Sequence, residues 1–276
     1  MKFLFLGDVV GKLGRQAVTS HLPQIRKKEK IDFSAVNGEN LTHGRGASLK
    51  HLRELKEAGV DFFTSGDHVF YLDPHEPFSD PNIDIIRPAN LPQGTPGKGY
   101  KVFSFNGKKI AIINLLGLTF LGDKLREDKR NENWLKGEVG NPFGVGEEIV
   151  AKLKEKEKPD LIFVDFHCEA TSEKRALGLF LDGQVTAVLG SHTHVPTADA
   201  QILPQGTAYV SDIGMTGSRD SVLGVEAEII ISRLKEGKVA PFAWVEKGPT
   251  VLGAVMVETD KANKVKRIER KDFIYE

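Results

Sequence analysis

Two histidines, His192 and His194, stand two residues apart in the sequence. They follow the apolar run 185–189 and lie between Gly190 and Pro196, a pattern typical of a buried strand that ends at a loop. Imidazole is the most common transition-metal ligand in proteins, and a turn can direct two such rings into one cavity. Two solvated loop histidines would give the same pattern. The residues at the ends of the other predicted strands distinguish a metal site from this alternative.

Four further apolar runs are each followed by side chains that can bind a metal. In α/β sheets, ligands bind outside the carboxyl ends of the strands, so these side chains would meet in one polar cup. An Asp after a strand is usually a turn or cap residue, but turns do not select for histidine. The residues are Asp8 after 3–6, Glu39 and Asn40 after 32–36, Asp67 and His68 after 60–64, and His167 after 161–164.

The chemistry of these donors restricts the kind of site. Oxygen and nitrogen donors without sulfur suit Fe, Mn, Zn or Mg and do not suit a structural zinc knot. About seven donors are more than a single ion needs. The sequence therefore predicts a dinuclear centre in which one carboxylate bridges two metal ions.

The elements that would position the donors alternate between strand and helix. This order predicts an α/β fold with a parallel sheet covered by helices. A β-hairpin is predicted over 100–115, because Asn106-Gly107 favours a tight two-residue turn. The predicted helices are 15–30, 48–58, 146–157 and 172–181. Antiparallel strands that close the fold are predicted at 207–210, 226–233, 240–245 and 250–258.

Composition excludes several classes of protein. The 276 residues carry 38 basic and 38 acidic side chains, which argues against bulk electrostatic binding of nucleic acid or of an anionic membrane. The one cysteine, Cys168, excludes a disulfide framework, and we expect it to be a packed core thiol. No segment is long and apolar enough for a signal-peptide core or a membrane span. We therefore expect a cytoplasmic protein.

The chain shows no internal repeat, low-complexity tract or linker, so 1–276 is predicted to be one domain. Residues 122–146 are polar and rich in glycine. They are interpreted either as a lid or flap insertion or as a plain surface loop.

The strand-end residues resemble those of the calcineurin-like metallophosphoesterases, and more narrowly the bacterial YmdB-like branch. In the broad family a histidine stands where this chain has Val10. In the YmdB-like branch, as here, Asn40 would supply the metal ligand that this histidine supplies in the broad family. The segments that carry the closer resemblance are Gly7-Asp8-Val9-Val10-Gly11, Asn37-Gly38-Glu39-Asn40, Arg87-Pro88-Ala89-Asn90, 94–100, 165–174 and Gly214-Met215-Thr216-Gly217.

The resemblance implies two mixed β-sheets packed face to face between outer helices (αββα). It also implies two divalent or trivalent metal ions, iron first, with Mn, Mg or Zn as alternatives, and a homo-oligomer, either a dimer or a tetramer. His68 would not be a ligand but a general acid or a stabiliser of charge on the phosphate. Apart from the resemblance, His43 lies in the loop after Glu39 and is interpreted either as a substrate contact or as a plain loop residue. The implied ligands are Asp8, Asn40 and His194 for metal one and Asp67, His167 and His192 for metal two, with Glu39 bridging.

The implied function is hydrolysis of phosphodiesters, with 2′,3′- or 3′,5′-cyclic nucleotides as substrates. Two cations about 3.5–4 Å apart lower the pKa of a shared water, so that hydroxide is available to attack phosphorus, while His68 protonates the leaving oxygen. Two alternatives stay open. One is a regulatory protein that binds metal or nucleotide with weak turnover, and the other is a phosphomonoesterase or nucleotidase.

One residue departs from the family motif. The family has Gly-Asn-His where this chain has Gly66-Asp67-His68. The third carboxylate, beside Asp8 and Glu39, should tighten binding of metal two, lower its Lewis acidity and repel a phosphate dianion. A phosphodiester carries a single negative charge, so the change favours diesters over monoesters.

Overall fold

The computed structural model describes residues 1–127, 135 and 137–276. The prediction of a lid or flap over 122–146 falls partly outside the described residues and stays a prediction. No helix in the described ranges is long and apolar enough to cross a membrane. The helices are α1 (Gly11–Glu29), α2 (Leu49–Glu57), α3 (Leu121–Glu127), α4 (Pro142–Lys152), α5 (Thr171–Phe180) and α6 (Ala227–Glu236).

The strands form two large mixed sheets and a smaller one. The strands are β1 (Lys2–Leu6), β2 (Asp8–Val9), β3 (Phe33–Asn37), β4 (Phe62–Thr64), β5 (Tyr100–Phe105), β6 (Lys108–Leu116), β7 (Leu161–His167), β8 (Ala187–Ser191), β9 (Gln201–Ile202), β10 (Ala208–Val210), β11 (Met215–Ser218), β12 (Thr250–Leu252), β13 (Ala254–Thr259), β14 (Val265–Arg270) and β15 (Phe273–Tyr275). The strand orders in the three sheets are β14-β13-β1-β3-β4, β5-β6-β7-β8-β10-β9 and β15-β12-β11-β2.

The centres of both large sheets are parallel. In the first, β1 pairs in parallel with β3 and β3 with β4, and β13 is antiparallel to β1. In the second, β6, β7, β8 and β10 run parallel, and β5 and β9 are antiparallel edges. The carboxyl ends of the central strands therefore meet at one end of the molecule, where the predicted donors follow them.

The side chains of β1 show why two layers form. Successive residues of a strand point to opposite faces. Phe3 and Phe5 join the core between the two large sheets, where their rings lie 4.7 and 5.0 Å from the Phe163 ring of β7. Leu4 and Leu6 join the core on the other face. A strand buried on both faces explains why β1 is continuously apolar.

Helices cover the outer face of each large sheet. Val18 and Leu22 of α1 and Leu52 of α2 are fully buried against the first sheet, in the same core as Leu4. Val150 of α4 and Leu177 of α5 are buried against the second sheet. The predicted αββα arrangement is confirmed.

The hairpin prediction is also confirmed. Phe105 of β5 pairs with Lys108 of β6 across a two-residue turn. Asn106 and Gly107 both have positive φ, 46° and 75°, as the turn that matches the strand twist requires.

Several predictions for the carboxyl-terminal region were wrong. Residues 226–233 are not a strand, since α6 begins at Ala227 and continues to Glu236. The next residue, Gly237, has φ 68°, a left-handed conformation that glycine favours after a helix. The run of isoleucines there suggested a strand, but β-branched residues are only weak evidence against a helix. Residues 240–245 are an irregular segment with one bridge at Trp244. The predicted antiparallel pairing of 207–210 is correct on one side only, since β10 is antiparallel to β9 but parallel to β8.

Candidate metal centre

Four of the predicted donors meet in one cluster. Glu39 follows β3, Asp67 follows β4, His167 ends β7 and His192 follows β8. Each offers a ligand atom, and these atoms all lie within 4.8 Å of one another. Glu39, Asp67 and His167 are buried, and His192 is half-buried. The cluster unites donors from both large sheets, as the strand-end argument predicted.

The distances show that the donor atoms face a common point. His167 Nε2 lies 3.1 Å from Asp67 Oδ1 and 3.2 Å from Glu39 Oε1. His192 Nδ1 lies 3.0 Å from His167 Nε2 and 3.6 Å from Asp67 Oδ1. The other ring nitrogen of His192 is 3.0 Å from Glu169 Oε2, which orients the ring in the manner of a carboxylate behind a metal-binding histidine.

The remaining three predicted ligands form a second set beside the first. His194 Nε2 lies 3.2 Å from Asn40 Nδ2 and 3.7 Å from Asp8 Oδ1. Asn40 Nδ2 also donates to Glu39 Oε1 at 3.2 Å, so Glu39 contacts both sets. Asp8 Oδ1 is buried and has no hydrogen-bond partner among the described residues. A buried carboxylate oxygen without a partner is costly unless a cation binds it.

His68 lies at the open edge of the cluster. Its Nδ1 is 3.1 Å from Asn40 Oδ1, and its Nε2 is 3.5 Å from Asp67 Oδ2. Its side chain is 22% exposed, whereas that of His167 is 0% exposed. His43 is exposed, with φ 49°, and no contact places it in the donor cluster.

The electrostatics of the cluster favour a bound cation. Burial, reinforced by the Glu39 charge, raises the pKa of Asp8 to about 8. Burial opposes the charged form of His167, but Glu39 and Asp67 outweigh it and raise the His167 pKa well above its usual value. Burial lowers the pKa of His192 and His194 to about 4. In the metal-free protein, bound protons thus balance the charge of the carboxylates. Metal ions that bind there would displace these protons. The donor set fits such ions.

The same carboxylates act on His68. Burial disfavours the charged imidazolium of His68, but the carboxylates of Asp67 and Glu39 outweigh it and raise its pKa. Conversely, burial opposes ionisation of Asp67, yet the neighbouring His68 and His167 lower its pKa. Asp67 and His68 therefore stabilise each other's charged form at the edge of the cluster.

The loop that carries His192 and His194 has an unusual backbone. Both residues have positive φ, 95° and 63°, which is uncommon outside glycine and persists only where surrounding contacts fix it. The Asp212 carboxylate provides those contacts: Oδ2 accepts bonds from Thr193 N at 3.1 Å and Thr193 Oγ1 at 2.8 Å. It also receives the buried Lys174 ammonium at 2.5 Å.

A hydrogen-bond chain fixes His167 from behind. Ser191 Oγ donates to Asp165 Oδ1 at 2.6 Å and lies 3.1 Å from His167 Nδ1. Because the single hydroxyl proton goes to Asp165, Ser191 accepts from His167 Nδ1–H, and Nε2 is left to face the cluster. The Thr64 hydroxyl also donates to Asp165, and Asn37 Nδ2 lies 3.3 Å from its Oδ2.

The sequence interpretation missed these supporting residues. One signal was available for Asp165, since it interrupts the apolar strand β7 with a carboxylate. The Lys174–Asp212 pair gave no comparable signal, because its members are 38 residues apart and meet only in the folded chain. Cys168 is buried as expected, and burial beside Glu173 raises its pKa.

The two packed sheets and the donor cluster at their strand ends are the arrangement that the resemblance to the calcineurin-like metallophosphoesterases implies. A family model described as "YmdB-like protein" matches residues 4–271. The chain belongs to this YmdB-like family.

Individual relatives agree with that membership. The chain is 42% identical over 270 residues to a 2′,3′-cyclic-nucleotide 2′-phosphodiesterase of Bacillus subtilis, covering 98% of this chain and 96% of the relative. A crystal structure of a novel phosphatase from Mycoplasma pneumoniae has a TM-score of 0.85 at 38% identity, covering 99% and 93% of the two chains. The crystal structure of a hypothetical protein from Thermus thermophilus has a TM-score of 0.84 at 36% sequence identity, covering 99% of each chain.

Proposed function

We propose that the protein is a dinuclear-metal phosphodiesterase that hydrolyses cyclic nucleotides, with 2′,3′-cyclic nucleotides as the leading substrates. The observation that carries the proposal is the position of Glu39 in contact with both donor sets. The name of the Bacillus subtilis relative supports this substrate class. Asp8, Asn40 and His194 would hold one metal, and Asp67, His167 and His192 the other.

Metal ions held there would supply a nucleophilic water at neutral pH and charge neutralisation at the phosphoryl group. Asn40 would present its amide oxygen after rotation about its terminal bond, since the amide N and O are interchangeable in shape. His68 holds a proton at the exposed edge, where it can pass the proton to a leaving alkoxide oxygen. Iron as the resident metal, a cytoplasmic location and a homo-oligomer are parts of the same proposal.

The direct test is turnover of bis-p-nitrophenyl phosphate and 2′,3′-cyclic AMP by protein loaded with Mn²⁺ or Fe²⁺. We expect hydrolysis of both diesters. Release of p-nitrophenol from the monoester p-nitrophenyl phosphate should be slower, because three carboxylates repel a monoester dianion more strongly than a diester monoanion. Faster monoester turnover would favour the phosphomonoesterase alternative. Nucleotide binding without any product, with metal content verified, would favour the regulatory alternative that the third carboxylate of Asp67 suggests.

Replacing His68 by alanine separates proton transfer from metal binding. We expect the variant His68→Ala to keep its metal content and to lose about 10²–10⁴-fold in kcat for a diester with a poor leaving group. With p-nitrophenolate, which leaves without protonation, the loss should be smaller. An equal loss for both leaving groups would show that His68 does not act as the general acid.

A further inference from the structure

Asp67 has two oxygens with different surroundings. Oδ1 faces the ligand cluster, 3.1 Å from His167 Nε2. Oδ2 faces the open edge, where His68 Nε2 lies at 3.5 Å and Lys124 Nζ at 3.8 Å. Lys124 belongs to α3, and its side chain is 58% exposed, whereas that of Asp67 is 4% exposed. A solvent-accessible ammonium therefore stands at the mouth of a buried anionic site.

The position of Lys124 matches the charge of Asp67. The Asp67 carboxylate is the third buried acidic side chain of the site, beside Asp8 and Glu39, and its negative charge opposes the approach of an anionic phosphodiester. An ammonium within 4 Å of the same carboxylate offsets that charge on the solvent-exposed side of Asp67. Lysine suits this role because its flexible stem lets a point charge move from a carboxylate to a phosphate oxygen.

We propose that Lys124 is a substrate-binding residue that offsets the charge of Asp67 and contacts a non-bridging oxygen of the phosphodiester. This proposal rests on the proposed function for its substrate class. Lys124 and His68 share the exposed edge of Asp67. The ammonium would therefore hold the phosphate group while His68 faces the leaving oxygen.

Binding measurements can distinguish this role of Lys124 from a purely structural one. A cation near the donors disfavours metal binding and favours anion binding. The variant Lys124→Met should therefore bind Mn²⁺ about 3–10-fold more tightly and inorganic phosphate about 10-fold more weakly, in line with the loss of one nearby charge. KM for a diester should rise by a similar factor, with a smaller change in kcat.

The experiment titrates Mn²⁺ into metal-free protein and phosphate into Mn²⁺-loaded protein by calorimetry, with KM and kcat measured alongside. Lys124→Arg should retain most of the wild-type behaviour. Lys27→Met is the matched control, because Lys27 is exposed in the last turn of α1, and it should change nothing. Unchanged affinities in Lys124→Met, or affinities for metal and phosphate that weaken together, would overturn the proposal.

The two proposals can fail separately. If the wild-type protein hydrolyses no diester, the proposed function fails, and the Mn²⁺ and phosphate titrations still decide the role of Lys124. If the wild-type protein is active and the titrations do not move in opposite directions, the role of Lys124 fails alone.

Discussion

The variant His167→Ala is expected to lose metal binding and, with it, all measurable diester hydrolysis. The His167 side chain is 0% exposed, and its Nε2 lies within 3.2 Å of both Glu39 Oε1 and Asp67 Oδ1. Alanine removes the imidazole that lies between these two buried carboxylates and, with it, a proposed ligand atom. Even residues behind a metal ligand cost about 10–100-fold in metal affinity when replaced, so removal of this ligand should cost more than about 100-fold.

Metal content by elemental analysis and the Kd for Mn²⁺ check this prediction. His75→Ala is the matched control, because His75 is exposed on a loop, and it should keep both metal and activity. His68→Ala should keep metal and lose activity. A His167→Ala protein that holds as many metal ions as the wild type would contradict the assignment of His167 as a ligand.

The second large effect is expected from Lys174→Met. Lys174 and Asp212 form an ion pair at 2.5 Å, with both side chains 1% exposed. Methionine keeps most of the side-chain volume but leaves Asp212 as an unpaired buried charge. Breaking a buried pair in this way costs about 3–5 kcal/mol, a large part of the roughly 5–15 kcal/mol by which a domain is stable. Metal affinity should fall as well, because Asp212 fixes the backbone of Thr193 between the two ligand histidines.

Urea unfolding of metal-free protein gives the change in free energy, and a Mn²⁺ titration gives the change in affinity. Lys12→Met is the control for loss of a lysine charge, since the Lys12–Glu246 pair is 52% and 59% exposed and such pairs contribute about 0–1 kcal/mol. If Lys174→Met unfolds like Lys12→Met and binds Mn²⁺ normally, the buried pair does not support the loop.

The sequence was sufficient to predict that the polar side chains directly after the strands lie together. Apolar runs predict buried strands, and the residues after them, such as Glu39 and His167, lie at the carboxyl ends where ligands bind. His192 and His194 follow β8 and lie in the two donor sets for the same reason. The αββα layers followed from the family resemblance, and the alternation of Phe3 and Leu4 between two cores explains them physically.

Other features depend on contacts between distant parts of the chain. The meeting of Lys124 with Asp67 and of Lys174 with Asp212 has no periodicity or motif that a sequence window could detect. The α6 helix was wrongly predicted as a strand because its three consecutive isoleucines resemble a buried strand, although no residue of α6 is buried. Tertiary context and helix termini decided that segment, and local propensity did not.

Asp165 has a consequence for how the protein comes apart. The carboxylate stands on β7 of the second sheet and receives Thr64 of β4 and Asn37 of β3 from the first. The donor cluster is likewise divided, with Glu39 and Asp67 from one sheet and His167 and His192 from the other. Neither sheet alone carries the whole donor cluster. A fluctuation that separates the two sheets therefore also separates the donors, so the cluster and the packing of the sheets are lost together.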